Sequence, residues 1–125
     1  MIDALVVDDA PLNLKLLTVV LSGNGYAVRT AESAEQALSI LETYLPALLI
    51  VDIRLPGMDG LTLVRTLRAQ PRYRDLVIVA VTASAMKGDE EVALAAGCDS
   101  YITKPVDTRA LPGHLARCMS ERKPA

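Results

Sequence analysis

The stretch LLIVDIRLPGMDG, Leu48 to Gly60, runs through four aliphatic residues, stops on Asp52 and then turns through Pro56, Gly57 and Gly60. An uninterrupted apolar run bounded by turn residues is how a strand buried on both faces reads. The same signature recurs in ALVV (Ala4–Val7) and LVIVAV (Leu76–Val81), and together with ALLIV (Ala47–Val51) these runs supply three central strands. YAVRT (Tyr26–Thr30) and SYIT (Ser100–Thr103) mix polar with apolar residues, as strands at a sheet edge do.

Helical patterns separate the strands. Leu12, Leu16, Leu17, Val20 and Leu21 mark the first, closed by SGNG, and Ser33 with Gln36 forms a capping box ahead of Ala34, Leu38 and Leu41. Leu63, Val64 and Leu67 mark a third helix ending before Pro71. GDEEVALAAG opens with acids and closes on Gly97, in keeping with the helix dipole and with C-cap preferences. The last helix is expected to begin near Asp107 and to bury Leu111, Leu115 and Met119, with Pro112 tolerable only near its first turn.

Five strands alternating with five helices imply an α/β fold: a doubly wound parallel sheet with right-handed crossovers. With the second and fifth strands at the edges, the order 2-1-3-4-5 of a flavodoxin-like (βα)5 domain is expected. Its switch point lies between the first and third strands, and ligands bind there at the carboxyl ends of the strands. The first strand ends in Asp8 and Asp9, the third in Asp52, the fourth at Thr82 and the fifth at Lys104.

Three carboxylates in one crevice repel one another; protonation, a cationic side chain or a hard divalent ion with oxygen ligands relieves the repulsion, and Mg2+ is the expected occupant, leaving room for a phosphoryl oxygen. With a hydroxyl and an ammonium on the same rim, the set suits phosphoryl transfer to a carboxylate nucleophile. Taken singly, each residue has an ordinary explanation. Asp52 is a turn aspartate, Asp8 and Asp9 are loop and cap residues, Thr82 is a strand residue, Lys104 a surface charge and Tyr101 an edge-strand aromatic. Turns and caps do not require all these side chains at adjacent strand ends. His114, the only histidine, has no expected neighbour and is read as structural or surface.

Composition narrows the function classes. The 125 residues, 51% of them apolar, suffice for one packed core. A net charge of −2 without a basic stripe, and the lack of Trp and Phe, argue against direct nucleic-acid binding. No apolar run is long enough to span a bilayer and the first residues lack signal-peptide order, so a cytoplasmic location and no membrane association are expected. Cys98 and Cys118 lack CxxC spacing and read as free buried thiols.

Through VVDD, VDIRLPGMDG, VTASAM and YITKP at successive strand ends, the sequence resembles the receiver domain of two-component response regulators over nearly its whole length. The resemblance implies a receiver domain over residues 1–120, followed by a polar tail at 121–125. It implies that Asp52 is the phosphoacceptor, that Asp8, Asp9 and the backbone carbonyl of Arg54 hold Mg2+ with it, and that Lys104 binds the phosphoryl group. It further implies that Thr82 moves to the phosphoryl group, that Tyr101 is the aromatic switch, and that the Lys104–Pro105 peptide is cis. AMKGDEE with KPVDTRALP is similar to stand-alone DivK-like regulators and to receivers of hybrid histidine kinases.

The expected partners are a histidine kinase or histidine phosphotransfer protein upstream. A protein target is expected downstream on the face of the fourth helix, fifth strand and fifth helix, in a monomer or weak dimer. The chain would catalyse only its own phosphorylation and dephosphorylation, with no effector domain of its own. Three rivals share parts of this pattern. An aspartyl-phosphate hydrolase wants an acid where Arg54 stands, a flavodoxin wants hydroxyls where DDAPLN stands, and a phosphorylation-silent pseudo-receiver is expected to lack one of the reactive side chains.

Overall fold

In a computed structural model of the chain, which describes residues 1–83 and 88–121, five parallel strands form one sheet in the order β2-β1-β3-β4-β5. The elements are β1 (Ile2–Val7), α1 (Pro11–Ser22), β2 (Tyr26–Ala31), α2 (Ala34–Leu41), β3 (Leu48–Asp52), α3 (Gly60–Arg68), a 3-10 turn (Pro71–Tyr73), β4 (Val77–Thr82), α4 (Asp89–Ala96), β5 (Ser100–Thr103) and α5 (Leu111–Glu121). Residues 84–87, which complete VTASAM and begin AMKGDEE, and the tail residues 122–125 lie outside the described residues.

The strand period of two divides the core. Leu5, Val7, Leu49, Val51, Ile78 and Ala80 face α2, α3 and α4. Ala4, Val6, Leu48, Ile50, Val79 and Val81 face α1 and α5. Every residue of β3 and β4 is buried, which is why both read as unbroken aliphatic runs.

Some expectations shift. On α1 the buried stripe is Leu14, Leu17 and Leu21, whereas Leu12 and Leu16 are 81% and 43% exposed. A helix this apolar offers more than one stripe, and only one of them fits the sheet. The α2 cap holds, with Ser33 Oγ accepting from Gln36 N–H at 3.0 Å, but the Gln36 side chain returns to Glu32 N–H rather than to that of Ser33. Asp107 starts a turn, its carboxylate accepting from Arg109 and Ala110 N–H, and α5 proper begins at Leu111, with Pro112 in its first turn. Cys118, rather than Met119, completes its buried stripe. His114 has a neighbour after all: its Nε2 lies 2.6 Å from Ser100 Oγ on β5.

One guanidinium fixes the end of α4. Arg68 donates to the carbonyls of Gly97 and Tyr73, each at 2.8 Å, and to the Asp99 carboxylate at 2.9 Å, which also accepts from Ile78 N–H. Gly97 has φ 118°, and a Cβ there would stand 2.5 Å from Arg68 Cγ, so both the backbone and the packing call for glycine.

Candidate functional site: an acidic crevice at the strand ends

The sheet register brings the reactive residues together. Val7 pairs with Val51, Asp52 with Val81, and Thr82 with Thr103, so Asp8, Asp52, Thr82 and Lys104 all emerge at the same end of the sheet. The ladder continues past the strands through Ile53 N–H to Val81 O and Lys104 N–H to Thr82 O, at 3.0 and 2.7 Å.

Asp8, Asp9 and Asp52 each offer a carboxylate oxygen within 4.8 Å of the others. Asp8 and Asp52 are buried and Asp9 is exposed, so the cluster has a closed floor and an open lip. One oxygen on each buried acid is already engaged: Asp8 Oδ1 accepts from Ala10 N–H and Asp52 Oδ1 from Arg54 N–H, both at 2.9 Å. Lys104 Nζ donates to Asp52 Oδ2 at 2.8 Å and lies 3.4 Å from Asp8 Oδ2. Burial works against the Lys104 charge, but the hydrogen bond to Asp52, that acid's charge and the nearby Asp8 outweigh it and raise the lysine pKa above its ordinary value.

The loop after Asp52 is held against the strand end. Gly60 N–H bonds to Ile53 O at 2.9 Å, and a Cβ on Gly60 would stand 2.3 Å from the Asp52 carbonyl oxygen. Asp59 caps α3 by accepting from Thr62 N–H at 2.7 Å, and this bond lowers its pKa. Leu55 is buried and anchors the same loop in the core. The Lys104–Pro105 peptide is cis.

Thr82 is buried at the end of β4, between the strands that carry Asp52 and Lys104. By strand alternation it lies on the same face of the sheet as Ala80, and Tyr101, paired with Ala80 in register, packs against the core on that face. Beside the crevice, a cleft of about 400 Å³ is lined by Asn13, Leu16 and Leu17 of α1, by Pro105 and Val106, and by Asp8 and Lys104. Asn13 and Asp59 carry little signal in the sequence: Asn13 becomes a cleft residue only through the packing of α1, and Asp59 stands among turn residues although DGLT is a capping pattern.

These strand-end residues coincide with a family match covering nearly the whole chain: residues 4–116 match the response regulator receiver domain. The chain belongs to that family. It is 37% identical over 102 residues to the polar-differentiation response regulator DivK of Brucella ovis, covering 82% of this chain and 83% of that protein. Its fold superposes with a TM-score of 0.90 on the signal receiver domain of a signal transduction histidine kinase from Syntrophus aciditrophicus, at 30% identity and covering 100% of this chain and 95% of that one. A TM-score of 0.86 relates it to the receiver domain of a sensor histidine kinase from Pseudomonas aeruginosa, at 34% identity and covering 95% and 98% of the two chains. That structure has a magnesium ion coordinated in its active-site cleft. The present chain is thus a receiver module of two-component signalling, with the expected flavodoxin-like topology. Among the described residues no helix is long and apolar enough to cross a membrane.

Proposed function

We propose that this receiver accepts one phosphoryl group on Asp52, from a histidine kinase or a histidine phosphotransfer protein, and signals through protein partners. The observation that carries the reading is the convergence of Asp8, Asp9 and Asp52 around a lysine ammonium 2.8 Å from Asp52. Three hard oxygen donors in a partly open cluster fit Mg2+, with the Arg54 carbonyl, on the residue whose N–H already bonds Asp52, as a further ligand. When bound, magnesium supplies charge neutralisation for the phosphoryl oxygens.

The chain's own residues do the rest. An Asp52 carboxylate oxygen attacks phosphorus in line. The new O–P bond forms as the donor's N–P bond breaks, and the leaving imidazole keeps its electron pair and takes up a proton. Lys104, already aimed at Asp52, transfers its hydrogen bond to a phosphoryl oxygen. Thr82 turns its hydroxyl to the phosphoryl group, and Tyr101 follows into the space behind it, altering the α4, β5 and α5 face where the target docks. Apolar Leu16, partly exposed where α1 lines the cleft beside the crevice, and Leu12, exposed in the first turn of the same helix, suit a protein donor.

The domain spans residues 1–120, works in the cytoplasm as a monomer or weak dimer, and catalyses only its own phosphorylation and dephosphorylation. Intact-mass analysis after incubation with a small acyl phosphate and Mg2+ tests the reading. One phosphoryl group should be gained, and none with Asp52→Asn or in excess chelator. An adduct that persists in Asp52→Asn refutes it.

A further inference from the structure

We propose that the end of the sheet opposite the crevice pairs with the same surface of a second copy of this chain. In this two-fold dimer Leu45 of each copy enters a hollow on the other, and Arg72 of each meets Asp75 of the other. Both crevices, at the carboxyl ends of the strands, then point outward, so the pairing is independent of phosphorylation.

The segments that lead into β1, β3 and β4, with the last turn of α5, enclose a hollow of about 530 Å³. Buried Pro46 and Leu76 line it together with Met1, Ile2, Leu45 and Met119. Met1, Ile2 and Leu45 are 92%, 39% and 53% exposed. A single exposed leucine needs no explanation, whereas three large apolar side chains around one hollow mark an interaction surface. The frame beneath them is tied to the sheet: Ala47, also in the lining, donates its N–H to Asp3 O at 2.9 Å and accepts from Val77 N–H at 3.1 Å.

The charges identify the occupant. Asp3, Arg72 and Asp75 line the same hollow at exposed positions, which gives the apolar centre and polar rim of a protein interface. Arg72 is held in place, its guanidinium donating to Leu41 O at 3.3 Å and lying 5.7 Å from the centroid of the Tyr73 ring. Neither contact uses a carboxylate, and among the described residues Arg72 and Asp75 form no ion pair. Asp3 is differently placed. Burial and then the Asp3 charge raise the Tyr44 pKa while Arg29, stacked 4.5 Å from that ring's centroid, lowers it, so Asp3 and Arg29 lie around one ring. Asp75 is the acid left for a partner. A strongly basic or acidic partner calls for a surface of one sign, whereas a cation and an anion side by side are complementary to their own two-fold copy. The same axis sets each exposed Leu45 against the hollow beside the other. So few residues make an interface at the small end of the specific range, and the dimer is accordingly weak.

The test is sedimentation of the full chain over a concentration series from micromolar to millimolar, in chelator and again in Mg2+ with a small acyl phosphate. A reversible monomer–dimer equilibrium should appear with the same midpoint in both conditions. Leu45→Lys, at an exposed position, should weaken it at least about tenfold while leaving the circular dichroism unchanged. Arg72→Asp and Asp75→Arg should each abolish self-association, because like charges then meet across the axis. An equimolar mixture of those two variants should dimerise again, since both pairs re-form with their signs exchanged. A chain that stays monomeric throughout, charge variants that still self-associate, or a mixture that stays monomeric overturns the proposal. So does association that appears only on phosphorylation, which assigns it to another face, or only on removal of residues 122–125, which makes the chain's own tail the occupant. Phosphorylation of Asp52 is read separately by mass and is the same in all these variants.

Discussion

Replacing Lys104 with alanine should destabilise the metal-free protein while tightening its hold on Mg2+. The ammonium lies 2.8 Å from Asp52 and 3.4 Å from Asp8, both buried acids. At an effective dielectric of about 20 the raw attractions are about 6 and about 5 kcal/mol. Most of this is offset by dehydrating three charges and by the 23% exposure of the lysine side chain, leaving a net loss of about 2 kcal/mol. With a urea m-value of about 2 kcal/mol/M, the unfolding midpoint in chelator should fall by about 1 M. Removing a neighbouring positive charge worth about 1.4 kcal/mol should raise Mg2+ affinity on the order of tenfold. Magnesium should therefore restore more stability to Lys104→Ala than to the wild type at the same concentration. The raised pKa of Lys104 fixes the pH window. Its contribution is complete below the ordinary lysine value of about 10.4 and is lost as pH rises through the higher folded value, so the two proteins should converge in strong alkali. Equal midpoints in chelator, or weaker Mg2+ binding in the variant, would refute the reasoning.

Asp9→Asn should weaken Mg2+ binding, in contrast to Lys104→Ala, and an unchanged affinity by calorimetric titration would place the metal elsewhere. Asp59→Ala should cost about 1 kcal/mol by loss of the α3 cap. Because the Thr62 N–H bond lowers the Asp59 pKa, that stability is present above about pH 3.9 and fades as pH falls through the lower folded value; a variant equal to wild type at neutral pH contradicts the cap. Thr82→Ala should still be phosphorylated, yet the phosphorylation-induced amide shifts around Tyr101 should shrink. Shifts of wild-type size would remove Thr82 from the switch. Cys98, whose thiol burial pushes up to about 11, should resist a thiol reagent at pH 8 until the chain unfolds; rapid labelling of the folded protein would contradict its burial.

The crevice was legible because strand ends are legible. The runs ending at Val7, Val51 and Val81 could be placed from hydrophobicity alone, and a parallel sheet then carries the next residue of each to one rim. Sequence pattern could not choose among the apolar stripes of α1, where Leu12 and Leu16 face out and Leu14 faces in. That choice depends on the shape of the sheet surface beneath. Nor could it find contacts between residues far apart in the chain, such as Ser100 with His114 or Arg68 with Asp99. The start of α5 differs from the expected one because Asp107 caps a turn as readily as a helix, and the helix proper begins at the buried Leu111.

The claim that Asp52 carries the phosphoryl group is tested most directly by reducing the phosphorylated chain with borohydride, which converts an aspartyl phosphate to homoserine, and then mapping the peptides. Homoserine should appear at position 52 alone, dependent on both phosphodonor and Mg2+. Its appearance at Asp8 or Asp9, or a modified chain with no homoserine at position 52, would contradict the account.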